Sequence, residues 1–431
     1  MVAHSAAAGF DLTTELITDT AGHLLTGGSG NSGWGYNQHN LVRHGPHVYA
    51  LSWRDDLTLA VFRRVGEGEW EEGAVLPPVP QNGNLLVDSS GRLHVIGGAE
   101  ASWHVIFDAP GSLETWELRR RVRADSRFGA CIDEHDQIFV AGGLSHLGWY
   151  LLDGREGFGT AAEGRLPHPR ERGYQFTALR EGGAHTICSD DYFLPGDQFP
   201  NQIVTMPDPA TGGTKDIETP HGIYPVTGAY YYHNPHIKEQ PDDWRCVQIA
   251  DVSDTLDEAT GQRGNLDHQE LMIDRKGLVH ILFFENRQLS GAVWAGSEQD
   301  AANSRLFHSV GPAGGPFETW CLGSYNSGRL YETSDGRMHY LLTRGMRGSA
   351  ESVWHAVSEP GEWGTISAPT QLPGCGPLHH LFVSSPRAGG TCEAEIDLYW
   401  TGAPRPPDPA VAACSEQAWY ARLTPKPRAL L

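Results

Sequence analysis

The chain is predicted to be all-β, a seven-bladed β-propeller of four-stranded antiparallel blades whose ring is closed by an N-terminal strand. Three observations predict it. A hairpin typified by residues 85–98, Leu-Leu-Val-Asp-Ser-Ser-Gly-Arg-Leu-His-Val-Ile-Gly-Gly, returns along the whole sequence at a period of roughly 45 residues, the spacing of propeller blades. Most copies place Gly where a tight turn needs positive φ. Finally, a chain of 431 residues with only 20% charged residues, 52 Gly and 13 Trp suits many short strands, tight turns and stacked aromatic faces, and leaves long helices no obvious place.

The inner hairpins recur at residues 41–49, 132–140, 179–187, 273–281 and 332–340, with a weaker seventh copy around residues 382–399 whose turn reads Arg387-Ala-Gly-Gly. Third strands follow as aromatic, alternating segments at 57–62, 102–107, 148–152, 228–233, 304–308, 352–357 and 417–422. Period-two alternation bounded by Gly and Pro is the mark of a half-buried strand. Outer strands are marked by Trp70, Trp116, Trp244, Trp320 and Trp363.

The last blade runs out of chain after its third strand. An N-terminal strand at about 11–22 is expected to complete it, pairing edges that would otherwise template aggregation. Residues 1–431 thus read as one propeller domain. Two segments exceed the repeat, 190–227 and 250–267. Both join strands on the rim that holds the funnel mouth, where long insertions build a lid or a pocket wall.

A net charge of −21 would repel nucleic acid and anionic membranes over the whole surface, so neither is expected as a partner. Seven cysteines, none in a Cys-x-x-Cys spacing, argue against a zinc ribbon or a full disulfide framework. The first residues show no basic and apolar leader, and no stretch approaches about 18 consecutive apolar residues. The expected location is therefore cytoplasmic, with secretion after loss of a leader as the alternative.

The starts of the innermost strands face the funnel mouth. In order they present His39 and Asn40, Asn82 and Asn84, Arg127, Arg172 and Tyr174, His268, Asn326 and Arg329, then His379 and His380. The second strands end at the same mouth with His146, Glu285 and Arg344. The turns of the opposite rim carry Asp, Ser, Glu and Lys instead. A mouth rich in His and Arg suits an anionic ligand held by forked guanidinium contacts, with acid and base available near neutral pH.

A uronic acid glycoside needs both. Eliminating across its ring requires a group to damp the carboxylate, a base for the α proton and an acid for the leaving oxygen. Carboxylates are scarce at the mouth, where only Glu285, Asp267, Glu270 and Asp191 qualify. A glycoside hydrolase normally needs two, about 5 to 10 Å apart. His94, His280 and His339 lie inside second strands and are expected to bond within their blades. His233 and His236 form a spaced pair without a third ligand, so no metal or cofactor is expected, a charge-neutralising divalent ion being the alternative left open.

The blade pattern of inner strand, Asp-x-x-Gly-Arg-x-His, aromatic third strand and outer Trp resembles the BNR-repeat propellers related to sialidases. The sialidase box Ser-x-Asp-x-Gly-x-Thr-Trp is not present in that form, since Ser334-Asp-Gly-Arg-Met-His lacks its end. The chain looks more like the seven-bladed polysaccharide lyases of the ulvan, oligouronide and rhamnose-glucuronate type, together with a propeller family classed as rhamnosidases. That resemblance implies a lyase acting on an oligosaccharide or polysaccharide, with His39, Arg127, His146, Tyr174 and His268 at the chemistry.

On this reading Arg127 and Arg329 hold the carboxylate, His39 or His268 is the base, and Tyr174 or His146 the acid. Asn40, Asn84, Arg172, Arg344 and His379 bind substrate. The expected linkage is L-rhamnose-α-1,4-D-glucuronate or a relative. The alternatives are a rhamnosidase-like or sialidase-like hydrolase in the same funnel and a non-catalytic sugar-binding propeller.

Overall fold

In the computed structural model the described residues are 2–7, 9–24, 39–54, 58–76, 83–98, 102–120, 128–142, 148–167, 176–189, 203–208, 213–218, 228–255, 264–287, 304–325, 327–346, 349–378, 380–402 and 413–426. They form a seven-bladed β-propeller of antiparallel blades, as expected. The inner strands, in ring order, are Leu41–His44, Gly83–Val87, Phe128–Ile132, Phe176–Arg180, Asn265–Ile273, Ser327–Glu332 and His380–Val383. Blades one to six each add three further strands outward, the second and third taken from the repeats read in the sequence.

The second and third strands carry the packing between blades. In blade two, Leu85, Val95 and Val105 are all fully buried and join Leu51, Val61 and Val140 of the neighbouring blades in one apolar cluster. Such side chains stack one blade on the next because successive residues of a strand point to opposite faces of its sheet. Trp320 lies on its outer strand, Glu318–Gly323, as the pattern implies. Trp363 does not: the outer strand of blade six is only Thr370–Gln371, and Trp363 sits in the preceding turn, buried against His280 of blade five at 5.0 Å between rings.

Blade seven is composite. Its strand order runs from His380–Val383 through Ile396–Gly402 and Ala413–Pro425 to Phe10–Leu24, with Val2–Ala7 paired outside as a fifth strand. Leu12 lies opposite Leu423 and Leu16 opposite Trp419. The closing strand is clamped to blade one by Glu15, which is fully buried and takes hydrogen bonds from Arg64 Nη2 at 2.6 Å and Trp70 Nε1 at 3.1 Å. Buried charge of this kind is tolerated because forked, charge-assisted bonds satisfy the carboxylate.

The hairpin turns of blades two and five, on the rim opposite the mouth, share one construction. Asp88 Oδ1 accepts the Ser90 and Arg92 amides at 3.0 and 2.9 Å, and Asp274 Oδ1 accepts those of Lys276 and Leu278 at 2.9 and 2.8 Å. The second oxygen of each meets a histidine of the second strand, His94 or His280, at 3.3 Å. A carboxylate only accepts, so Nε2 of that histidine donates and its Nδ1 accepts from the third-strand partner, His104 at 2.9 Å or His308 at 3.0 Å. In blade six Thr333 stands in for the Asp, and His339 meets His355 at 2.9 Å. The repeated histidines therefore bond within their blades, as their position in the repeat suggests.

Of the two long segments, 190–227 contributes a described hairpin, Ile203–Asp208 with Gly213–Glu218. The 250–267 segment begins with the end of Arg245–Asp251 and the short 3-10 turn Ser253–Thr255, then resumes at Gly264. Among the described residues no helix is long and apolar enough to cross a membrane.

Candidate functional site

Six blades join their inner and second strands by short turns. Blade seven joins His380–Val383 to Ile396–Gly402 through residues 384–395, and this loop folds inward across the channel instead of staying on the rim. It bonds to one blade after another. Ala388 O accepts from Val87 N of blade two at 2.9 Å, and Arg387 O from Ile132 N of blade three at 2.8 Å. Thr391 N donates to Arg43 O of blade one at 3.1 Å, while Glu393 exchanges bonds with Ser334 and Tyr331 of blade six. Gly389, at φ +80°, makes the closest approach: a Cβ there would lie 1.8 Å from Val87 O. The sequence reading placed Arg387-Ala-Gly-Gly in an ordinary hairpin turn. The structure makes it a plug.

Arg387 rises from this plug into the channel. Nη1 donates to Thr177 O of blade four at 3.1 Å and Nη2 to Glu270 Oε1 of blade five at 2.5 Å. Arg329 reaches the same place from blade six, its Nε donating to Leu381 O at 2.8 Å and standing 4.0 Å from Glu270 Oε2. Both guanidinium groups lie over the Phe176 ring, at 5.3 and 5.5 Å from its centroid. Side-chain exposure is 5% or less for Arg387, Arg329 and Glu270. Both guanidinium groups thus stand beside the Glu270 carboxylate in a dry setting.

His39 completes the floor of the funnel. It is buried, and its backbone N–H donates to Asn84 Oδ1 at 3.2 Å. Burial first, then the nearby charges of Arg387 and Arg329, hold its pKa well below the usual histidine value, so the ring is neutral at neutral pH. Its Nε2 has no hydrogen-bond partner among the described residues, nor have Asn84 Nδ2, Thr177 Oγ1 or Arg387 Nε. Buried polar atoms in proteins are nearly always satisfied, by protein, water or ligand. Four unsatisfied ones around two guanidinium groups mark a place built for a polar guest.

Of the residues picked out in the sequence, His39, Asn84 and Arg329 are brought together here. Asn40 lies beside them, half-buried, with Nδ2 donating to Leu51 O at 3.2 Å. His268 is on the inner strand Asn265–Ile273, opposite Phe283, and a bulge separates it from Glu270. Arg344 is exposed, its guanidinium 5.0 Å over Tyr325 and 5.2 Å over Trp354. Arg127, His146, Arg172, Tyr174 and His379 lie outside the described residues. Arg387 was missed, and the length of the 384–395 connection was the signal that could have found it. Among the described residues no group of three His, Cys, Asp or Glu could hold a metal ion.

No family model matches the chain, and no curated protein matches it. Solved structures do. An ulvan lyase of polysaccharide lyase family PL25 superposes with TM-score 0.56 at 11% identity, covering 90% of this chain and 93% of its own. An ulvan lyase of that family bound to -[GlcA(1-4)Rha3S]- gives 0.56 at 12%, covering 89% and 92%. The polysaccharide lyase Uly1 gives 0.53 at 10%, covering 96% and 98%. The shared feature at these identities is the propeller fold.

Proposed function

We propose that this protein is a carbohydrate-active lyase that cleaves a uronic acid-containing glycan by β-elimination. The observation that carries the reading is the funnel floor, where Arg329 and Arg387 flank Phe176 beside a neutral His39. A sugar carboxylate set on the two guanidinium groups loses much of its negative charge, which acidifies the proton on the adjacent carbon. A neutral imidazole with an unengaged Nε2 is the kind of group that takes it.

In the proposed step His39 accepts the C5 proton. The C–H electron pair forms the C4–C5 double bond, the C4–O4 bond breaks, and O4 takes a proton from an acid. The acid is assigned to Tyr174 or His146, with His268 as the alternative base and Arg127 as a further carboxylate contact. Asn40, Asn84, Arg172 and His379 are proposed to bind the sugar hydroxyls and Arg344 an outer unit. The linkage proposed is L-rhamnose-α-1,4-D-glucuronate or a relative. The fold shared with lyases, one of them holding a glucuronate-rhamnose fragment, supports the choice of substrate class.

A hydrolase in the same funnel is the weaker reading. Its two carboxylates must be free to act as acid and as base or nucleophile. Glu270 is engaged by Arg387, and Asp267, buried on the same inner strand, has a partner of its own. The deciding experiment follows ultraviolet absorbance of the unsaturated uronate while purified protein is mixed with rhamnose-capped and uronate-containing glycans. A rise lost in His39→Ala establishes elimination. Sugar release without absorbance moves the assignment to hydrolysis, and no product from any glycan leaves a binding propeller.

A further inference from the structure

The plug meets every blade, but not in the same way. Its main-chain atoms reach blades one, two, three and six: Thr391 N donates to Arg43 O, Ala388 O and Arg387 O accept from Val87 N and Ile132 N, and Glu393 bonds to Ser334 and Tyr331. In blade seven, its own, Ser384 N donates to Asp397 O at 3.2 Å. Blades four and five are held differently. Among the described residues every hydrogen bond from the plug to them comes from one side chain, Arg387, through Nη1 to Thr177 O and Nη2 to Glu270 Oε1.

These two blades also hold to each other. Phe176, Ala178 and Ile187 of blade four share an apolar cluster with Leu266, Leu271 and Ile281 of blade five. On the rim opposite the mouth, Arg180 of blade four donates to the carbonyls of Asp274 and Arg275 of blade five. A main-chain bond moves only with its strand, whereas a long side chain can let go while both backbones stay folded.

We propose that the plug is the hub of the ring and that Arg387 is a strap on it, the tie by which blades four and five are drawn to the channel axis. With the strap released, these two blades open as one unit while the other five keep their bonds to the hub. Local opening runs through contiguous cooperative units and begins where ties are few. In a ring of seven, blades four and five lie across the channel from blade one, so the strap fixes the width of the funnel between them and His39. The inference concerns the ring itself and does not depend on the lyase assignment.

Hydrogen–deuterium exchange of the full chain, read by mass spectrometry, tests it without ligand or turnover. In Arg387→Met, exchange is expected to rise at least about tenfold in peptides covering Phe176–Arg180 and Asn265–Ile273, and to stay within about twofold in those covering Leu41–His44 and Gly83–Val87. Arg387→Lys, whose ammonium lacks the fork that serves both acceptors, should fall between. A double variant, Arg387→Met with Glu270→Met, removes both charges and so separates loss of the tie from the cost of an unpaired buried carboxylate. It should exchange like Arg387→Met. Gly389→Ala, which presses the plug backbone on Val87, should instead raise exchange in Gly83–Val87. A uniform rise in all seven blades overturns the strap, as does the absence of a rise in blades four and five or native protection in the double variant. Should Arg387→Met not fold, Glu270→Met alone decides: exchange raised in Asn265–Ile273 and spared in Gly83–Val87 upholds the strap, and any other pattern overturns it.

Discussion

Asp133 precedes Phe139 by the same interval at which Asp88 precedes His94 and Asp274 precedes His280, so blade three keeps the turn carboxylate and lacks its histidine. The consequence is electrostatic. Asp88 is held low by its bonds from His94, Ser90 and Arg92, which outweigh burial, whereas burial pushes Asp133 up to about 6. Its Oδ1 caps the His135 and Gln137 amides at 3.0 and 2.8 Å, and its Oδ2 has no hydrogen-bond partner among the described residues. A raised folded pKa means the native state holds the proton longer than the unfolded chain, so stability falls as pH rises from about 4 to 6. Asp133→Asn is therefore expected to raise stability by about 1 kcal/mol at pH 8 and to change little at pH 4. Thermal unfolding of both proteins at the two pH values decides it; an equal effect at both would contradict the account.

The histidine pairs predict the acid limit. Burial lowers His339 and His185 to about 3 and His355 and His233 to about 4. With folded values depressed, the unfolded chain binds protons first, so stability is complete above pH 6.5 and is lost as pH falls toward 4 and 3. Each group adds a slope of about 1.4 kcal/mol per pH unit inside its window. The midpoint of thermal unfolding should be flat above pH 7 and drop steeply below 6. A midpoint unchanged at pH 4.5 would remove the pairs from the stability of the fold.

Gly389 and Gly361 separate strain from contact. Their φ values, +80° and +85°, cost an alanine about the same 1 kcal/mol. A Cβ on Gly361 meets nothing within 4 Å, whereas one on Gly389 meets Val87 O. Gly361→Ala should cost about 1 kcal/mol, and Gly389→Ala more than about 3 kcal/mol or else displace the plug. Denaturant unfolding measures the first outcome. Loss of glucuronate binding with stability kept would report the second.

The charge around His39 can be read in a rate profile. Arg387 and Arg329 both disfavour its protonation. Removing one cation, as in Arg329→Gln, should move the acid limb of kcat/KM to higher pH, while His39→Ala should lower kcat more than a hundredfold across the range. An acid limb that stays in place in Arg329→Gln would take His39 out of the base role.

Glu15 tests the ring closure. It is the buried partner of Arg64 and Trp70, and Glu15→Ala leaves a guanidinium and an indole N–H to find other partners. A loss of about 3 kcal/mol is expected in denaturant unfolding. No change would place the closing strength in the strand pairing alone.

The repeat was legible because it is local. An Asp-turn, a period-two strand and a Gly at positive φ are written within a few residues of one another, so blades, closing strand and structural histidines could all be read from the chain. His39, Asn84 and Arg329 were legible for a related reason: topology puts the start of each inner strand at one mouth. Arg387 was not, because its position follows from a loop crossing the channel to Val87, Ile132 and Arg43, contacts distant in sequence and made by backbone atoms that carry no residue signature. Glu270 was visible as a carboxylate, but its engagement by Arg387 was not. Trp363 misled because a buried turn and an outer strand both favour a lone tryptophan.

The pairing of Phe10–Leu24 with Ala413–Pro425 also governs how the molecule is made. The first of these strands is synthesised well before its partner, an interval on the order of half a minute at ordinary rates of synthesis. Throughout it the nascent chain carries an unpaired sticky edge beside an open ring, so the opportunity for misassembly lies in biosynthesis, and holdase chaperones acting on the first strand should govern the yield of the finished protein.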